Sequence, residues 1–129
     1  MSYNEIVMLS SLAAEHVHNP RNTGPLADAT HLGVSGTPGD GPYVKIWLCV
    51  KSSKVERAAY QTHGCPSSVA PASLVSQLVI GKDLKWIQNL TGADILTVLG
   101  GLPEGKEKFA YMAVAALQNA STNKKELIQ

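Results

Sequence analysis

The chain has 129 residues, with 11 lysines and arginines, 10 aspartates and glutamates, and a formal net charge of +1. This length predicts a single domain over residues 1–129, and 44% hydrophobic against 16% charged residues excludes wholesale disorder. A near-neutral charge without a basic run argues against nucleic acid as a partner. No apolar stretch is long enough to span a membrane, and the first five residues lack the basic region of a signal peptide. These features predict a soluble, cytoplasmic protein.

The first half of the chain predicts one helix followed by three strands. Apolar residues at three- and four-residue steps indicate an amphipathic helix over residues 5–18, which ends before Pro20. A short strand is expected at 32–35, within a stretch rich in glycine and proline. Strict alternation predicts a strand over 43–50 with one apolar and one mixed face. A four-residue polar link then leads to an extended run over 55–62, which favours an antiparallel hairpin.

The second half predicts helices. Residues 68–80 carry an apolar stripe, and the helix proper is expected to begin at residue 69 or 70 because Pro71 fits only a first turn. Gly81 then occupies the position after this helix where a left-handed C-cap residue is expected. Further helices are expected at 83–90, 95–99 and 106–120, and the tail over 121–129 is expected to fray. Strands followed by helices predict an α+β fold, a small antiparallel sheet with helices packed on one face.

Cys65 is the residue with the clearest chemical potential. It leaves a predicted strand through Gly64 and precedes a helix, whose N–H groups and dipole stabilise a thiolate, although a small buried corner residue fits the same pattern. Cys49 lies within a strand and is expected to be inert. Asp40, in the glycine-rich loop, is either a turn residue or a ligand. His63, two residues before Cys65, could reach a bound metal or have only a structural role.

Three segments in order, at matching spacings, carry a resemblance to a known family. They are Asn19-Pro20-Arg21-Asn22, the corner over residues 63–73 with Gly81-Lys82 after it, and Leu102-Pro103-Glu104-Gly105-Lys106. Together they resemble the iron–sulfur cluster assembly scaffold proteins of the IscU type and the N-terminal domain of NifU. The resemblance implies a three-stranded antiparallel sheet with helices on one face. It also implies a cysteine desulfurase, a client protein and a chaperone as partners, the last through the segment Leu102 to Lys106.

The resemblance implies a ligand set that this chain keeps only in part. Family members bring together three cysteines, an aspartate and a histidine. A match without gaps puts Asp40 at the first cysteine and Pro42 at the aspartate, whereas a match with one gap pairs Asp40 with the aspartate and omits that cysteine. Lys108 falls at the histidine and Phe109 at the last cysteine. Of the three thiols, only Cys65 remains, so the chain is expected to be a divergent member.

This ligand count leaves three functions open. Iron–sulfur clusters normally take four cysteine thiolates and structural zinc takes four protein ligands, whereas one chain offers Cys65, Asp40 and His63. The first hypothesis is a scaffold or sulfur carrier: Cys65 accepts sulfur, or a homodimer pools Cys65 and Asp40 around a cluster or a single iron or zinc ion. Binding of no cofactor is equally compatible. The second is a cluster-free pseudo-scaffold that binds other proteins. The third is a pathway-specific enzyme, in which Asp40 and Lys108 supply acid–base groups beside Cys65.

Overall fold

The computed structural model describes residues 9–124, which form one antiparallel sheet and five helices. The strands are β1 (His31–Gly36), β2 (Tyr43–Lys51) and β3 (Lys54–His63), in the order β1-β2-β3. The helices are α1 (Ser11–His18), α2 (Pro66–Leu78), α3 (Leu84–Asn89), α4 (Gly92–Leu99) and α5 (Lys108–Ser121). The predicted fold class and all three strands are confirmed. Within residues 9–124, no helix combines the length and the apolar character needed to cross a membrane.

Different structural elements cover the two faces of the sheet. The predicted apolar face of β2 belongs to the main core, to which α2 and α5 contribute; Val44, Ile46 and Leu48 are fully buried there, and Val50 is partly buried at the end of the strand. On the mixed face, Trp47 packs with Ala29 and Ala59 in a second, smaller core. Ala29 comes from the irregular segment that precedes β1. Helices therefore cover one face, as expected, while a loop covers the other.

The contact between β1 and α5 depends on a glycine. A Cβ atom added to Gly33 would lie 2.2 Å from the carbonyl oxygen of Ala116 and 2.2 Å from the amide nitrogen of Ala120. Both are backbone atoms of α5, so neither can move without displacing the helix. Gly33 thus allows the strand and the helix to pack backbone against backbone, which places α5 across β1 and fixes where α5 begins.

The hairpin between β2 and β3 is tighter than the sequence predicts. Lys51 and Lys54 are paired strand residues, which leaves Ser52 and Ser53 as the loop. Both serines have left-handed backbone conformations, with φ of 54° and 64°. Such angles are typical of the two-residue turn that matches the twist of the flanking strands. The four-residue link predicted from polarity is therefore wrong in length, because its end residues pair within the sheet.

Several helix boundaries differ from the prediction, and at the start of α1 a cap explains the difference. Leu9 and Ser10 are not helical, and the Ser10 hydroxyl accepts a hydrogen bond from the Ala13 amide at 3.1 Å, so α1 begins at Ser11. Residues 5–8 of the predicted helix lie outside the described range. At the other end of the chain α5 includes Ser121, which was expected to fray; residues 125–129 are not described.

Helix α2 begins earlier than predicted. Pro66 is its first residue, a position that a proline's fixed φ favours, and Pro71 consequently lies inside the helix. The expectation that Pro71 belongs to the first turn is wrong. Gly81 does have a left-handed φ of 88°, but the helix already ends at Leu78. The Gly81 amide donates to the Val55 carbonyl at 2.8 Å, so this glycine attaches the end of the helix to β3 instead of capping it.

Candidate functional site

Cys65 occupies the corner between β3 and α2 and is the N-cap residue of that helix, with φ −89° and ψ 176°. Its carbonyl accepts hydrogen bonds from the Ser68 amide at 2.9 Å and from the Ser68 hydroxyl at 2.7 Å. Its side chain takes no part in capping and is partly exposed. The Cys65 thiol therefore lies at the N-terminus of α2 without taking part in its capping hydrogen bonds.

The start of α5 packs against this corner. Phe109 is buried, and a Cβ added to Gly64 would lie 3.6 Å from Cε1 of its ring. The Lys108 ammonium lies over the same ring, with Nζ 5.4 Å from the centroid. The residue next to Cys65 in the chain is therefore in contact with an aromatic ring at the position where the family resemblance implies a thiol. This contact brings the segment with Lys108 and Phe109 to the Cys65 corner.

The loop between β1 and β2 lies at the same end of the sheet. Asp40 is exposed in a turn in which its amide donates to the Thr37 carbonyl at 3.0 Å. Tyr43 and His63 are paired across β2 and β3, and their rings stack at 5.9 Å between centroids with an interplanar angle of 11°. A surface depression of about 340 Å³ is lined by Gly39, Gly41, Tyr43 and His63. His63 thus borders a depression together with Gly39 and Gly41, the two chain neighbours of Asp40.

These donors do not form a ready ligand group. Over residues 9–124, no three histidine, cysteine, aspartate or glutamate side chains converge as a metal site would require. A closed iron–sulfur or zinc site takes four protein ligands, so the donor set of one chain does not fit such a site. Binding of a metal by Cys65 and Asp40, with or without His63, stays a prediction that needs a second chain or another source of ligands.

Cys49, the other cysteine of the chain, has an inert environment. It is 5% exposed, and its Sγ lies 3.6 Å from the Asp28 carbonyl oxygen. Burial raises the pKa of the Cys49 thiol, and the neighbouring Asp28 carboxylate acts in the same direction. Asp28 is itself paired with Arg57. The predicted lack of reactivity at Cys49 therefore has a physical basis in its neutral, buried thiol.

A buried polar cluster joins α1, the segment after it and α2, and the hydrophobic periodicity did not predict it. His16 of α1 is 1% exposed, and its Nδ1 lies 2.7 Å from the hydroxyl oxygen of Ser73 in α2. The same oxygen accepts a hydrogen bond from the Arg21 amide at 2.9 Å. Burial, and secondarily the Arg21 charge, lower the pKa of His16. The available signal was serine on an otherwise apolar helix: Ser67, Ser68, Ser73 and Ser76 are all buried.

The protein is an α+β domain with a three-stranded antiparallel sheet, helices on one face of the sheet and a thiol at a strand–helix corner. Residues 8–127 match the family described as the NifU-like N terminal domain. The chain belongs to this family. The resemblance of the three segments noted in the sequence is thereby confirmed, whereas the loss of two of the three site cysteines stays a prediction.

Relatives and solved structures agree with this assignment. The chain is 33% identical over 113 residues to the iron-sulfur cluster assembly scaffold protein IscU 1 of Archaeoglobus fulgidus, covering 88% of this chain and 74% of that protein. It is 38% identical over 106 residues to IscU of Aquifex aeolicus, covering 81% and 64%. The crystal structure of the N-terminal part of a NifU-like protein from Brucella abortus has the same fold, with a TM-score of 0.58, 21% identity, and coverage of 92% and 85%.

Proposed function

We propose that this protein acts in iron–sulfur cluster assembly as a sulfur carrier, and that Cys65 is the acceptor. The observation that carries the proposal is the contrast between the two thiols of the chain. Cys65 is partly exposed at a helix N-terminus with its Sγ outside the cap, whereas Cys49 is buried. Relatives named as assembly scaffolds support the biological setting. The incomplete donor set of one chain favours transfer of sulfur over storage of a whole cluster.

The chemistry requires one displacement. The Cys65 thiolate attacks the outer sulfur of a persulfide carried by a cysteine desulfurase, so that a sulfur–sulfur bond forms on Cys65 while the bond on the donor breaks. The donor cysteine leaves as a thiolate, and the reaction involves no net oxidation.

The turn before α5 supports a protein-docking role in the same pathway. Glu104 and Gly105 are exposed, and the Lys106 amide donates to the Pro103 carbonyl at 2.9 Å. The Gly105 amide donates to Oε1 of Glu107, also at 2.9 Å. The segment from Leu102 to Lys106 is thus held in one shape with its tip in solvent. We assign it to chaperone recognition, while the client protein that receives the sulfur is a further partner.

A cluster-free pseudo-scaffold is the second candidate, and one contact favours it. The buried ring of Phe109 lies against Gly64, so apolar surface replaces a donor next to Cys65. On this alternative, the chain keeps the docking surfaces of the family and binds partners without carrying sulfur. The sulfur carrier requires the Cys65 thiol for its function, whereas the pseudo-scaffold does not.

The deciding experiment is incubation of the purified chain with a cysteine desulfurase and cysteine, followed by intact mass measurement under non-reducing conditions. The carrier function predicts a gain of one sulfur atom that disappears in Cys65→Ser and persists in Cys49→Ser. A wild-type chain that binds the desulfurase but gains no sulfur assigns the protein to the pseudo-scaffold class. Anaerobic reconstitution with iron and sulfide, read by visible absorption, tests separately whether a dimer holds a cluster.

A further inference from the structure

The outer edge of β3 is covered along only part of its length. β3 is an edge strand, since the order of the sheet is β1-β2-β3. Near its start, the backbone of Val55 exchanges two hydrogen bonds with residues 81–82, at 2.8 and 2.9 Å. Further along, the Tyr60 amide donates to the Asn22 carbonyl at 3.1 Å, and the Tyr60 carbonyl accepts from the Gly24 amide at 2.8 Å. Two other segments of the chain therefore pair with this edge, one at Val55 and one at Tyr60.

Thr62 presents its backbone on the same edge without a partner. Hydrogen-bonding direction alternates along an antiparallel strand, so Thr62, two residues after Tyr60, also directs its N–H and C=O away from β2. Among residues 9–124, no group accepts a hydrogen bond from the Thr62 amide or donates one to its carbonyl. An open donor and an open acceptor therefore remain on this edge, three residues before Cys65.

A groove of about 280 Å³ runs beside this open position. Gln61 and Thr62 both line it, although consecutive strand residues point to opposite faces of a sheet, so the groove follows the strand edge. The end of α1, the segment after it and the first turn of α2 complete the wall with Val17, Pro20 and Val69. None of the lining side chains is charged. Charged side chains commonly protect sheet edges from other strands, and the groove has none.

We propose that a cysteine desulfurase docks in this groove through an extended backbone segment, which pairs with the N–H and C=O of Thr62. Addition of an extended segment to an open sheet edge is a recurring mode of recognition, in which main-chain hydrogen bonds supply the affinity. The edge already accepts a segment in this manner, because Thr23 of the same chain forms a parallel bridge with Tyr60.

The position of the groove suits a sulfur donor. This docking site rests on the proposed carrier function, in which a persulfide of the desulfurase must reach Cys65. Thr62 precedes Cys65 by three residues, about 10 Å of extended chain. A donor segment that pairs at Thr62 and continues over a similar distance would bring its sulfur to the thiol. The desulfurase is therefore the partner that the groove fits best.

The test is hydrogen exchange at single residues, measured on the 129-residue chain alone and with the desulfurase. In the free chain, the Thr62 amide should exchange at least about 100-fold faster than the Gln61 amide, which faces β2. Addition of the desulfurase should slow exchange at Thr62 by about tenfold or more and leave exchange at Gln61 unchanged.

Thr62→Pro supplies a second measurement. Proline removes only the outward N–H, and a sheet edge tolerates proline where that group faces away from the neighbouring strand. The KM for sulfur transfer from the desulfurase should be about threefold or more higher than in Thr62→Val, which keeps the N–H. Equal KM values in the two variants would contradict the backbone contact.

The docking site and the carrier function can fail separately. A chain that gains sulfur on Cys65 while the desulfurase leaves exchange at Thr62 unchanged would overturn the docking site alone. Protection of Thr62 without a gain of sulfur would support the docking site and overturn the carrier function. A Thr62 amide that is already protected in the free chain would overturn the docking site and assign the groove to another segment of the chain. Protection that grows with the concentration of the free chain would assign it to a second copy.

Discussion

The difference between the two cysteines is a property of single residues and can be tested without partners. Cys65 is partly exposed at a helix start, while Cys49 is 5% exposed with a pKa raised by burial. We expect a thiol reagent such as iodoacetamide to modify Cys65 at least about 100-fold faster than Cys49 in the native protein, because Cys49 must wait for local opening. Timed alkylation with peptide mapping gives both rates. Denaturant should abolish the difference, and equal native rates would remove the basis for assigning sulfur transfer to Cys65.

His16 predicts a pH dependence of stability. Burial lowers its pKa in the folded state, so the unfolded chain binds a proton at higher pH than the folded chain does. The contribution of neutral His16 is therefore complete above about pH 6.5 and is lost as pH falls below that value, with a slope of up to about 1.4 kcal/mol per pH unit. Urea unfolding between pH 7.5 and about 5 should show this decline. His16→Asn should reduce this slope and leave the part that comes from His31, whose pKa burial also lowers. The same change at exposed His18 should not reduce it, and an unchanged slope in His16→Asn would contradict the assignment.

At the scale of elements, sequence patterns predicted those features that depend only on residues close together in the chain. The alternation in β2 identified its buried face because each side chain's direction depends only on its position in the strand. Helix boundaries required more: Ser10 caps the N-terminus of α1, and Pro66 starts α2 early enough to place Pro71 inside it. Neither helix start can be predicted from the hydrophobic periodicity alone. The packing role of Gly33 was also hidden, since a glycine in a strand that follows a turn-rich stretch looks like one more loop residue.

Gly33→Ala tests the close packing of β1 and α5. The added Cβ would meet two backbone atoms of α5 at 2.2 Å, far inside van der Waals contact, so the helix must move away from the sheet. We expect a loss of about 3 kcal/mol or more in the free energy of unfolding, at the upper end of overpacking effects. Ser35→Ala, in the same strand, should cost well under 1 kcal/mol. Urea denaturation monitored by tryptophan fluorescence measures both, and a Gly33→Ala protein as stable as wild type would show that α5 packs elsewhere.

At the scale of the whole molecule, the sequence predicted the local part of the site but not the contacts between distant segments. The Cys65 corner was visible locally, from a glycine, a cysteine and a helix start in succession. The approach of Phe109 to Gly64 joins residues far apart in the chain, and only the family resemblance indicated it. The His16–Ser73 contact spans 57 positions, and the serines of α2 indicate a buried polar partner without identifying His16. Contacts of this kind follow from the packing of helices on the sheet, which no single segment encodes.

The correspondence of Asp40 and Phe109 with thiols of the family, which the resemblance implies, leads to a final prediction about restored ligands. If Asp40 and Phe109 stand where the family has thiols, the double variant Asp40→Cys/Phe109→Cys should assemble three thiols with Cys65 and bind zinc, which favours tetrahedral sulfur ligation. Loss of the Phe109 ring should cost about 3 kcal/mol in the metal-free protein, and zinc should recover part of this cost because metal binding to the folded state stabilises it.

Competition with a chromophoric chelator and thermal unfolding with and without zinc measure the two effects. The matched control is the same double variant with Cys65→Ser, which should lose both the tight binding and the zinc-dependent stabilisation. A folded double variant that binds zinc no better than this control would show that Asp40 does not stand beside Cys65 and Phe109. The gapped correspondence, in which Asp40 takes the place of the family's aspartate and the first cysteine has no counterpart, would then be the better description of the loop between β1 and β2.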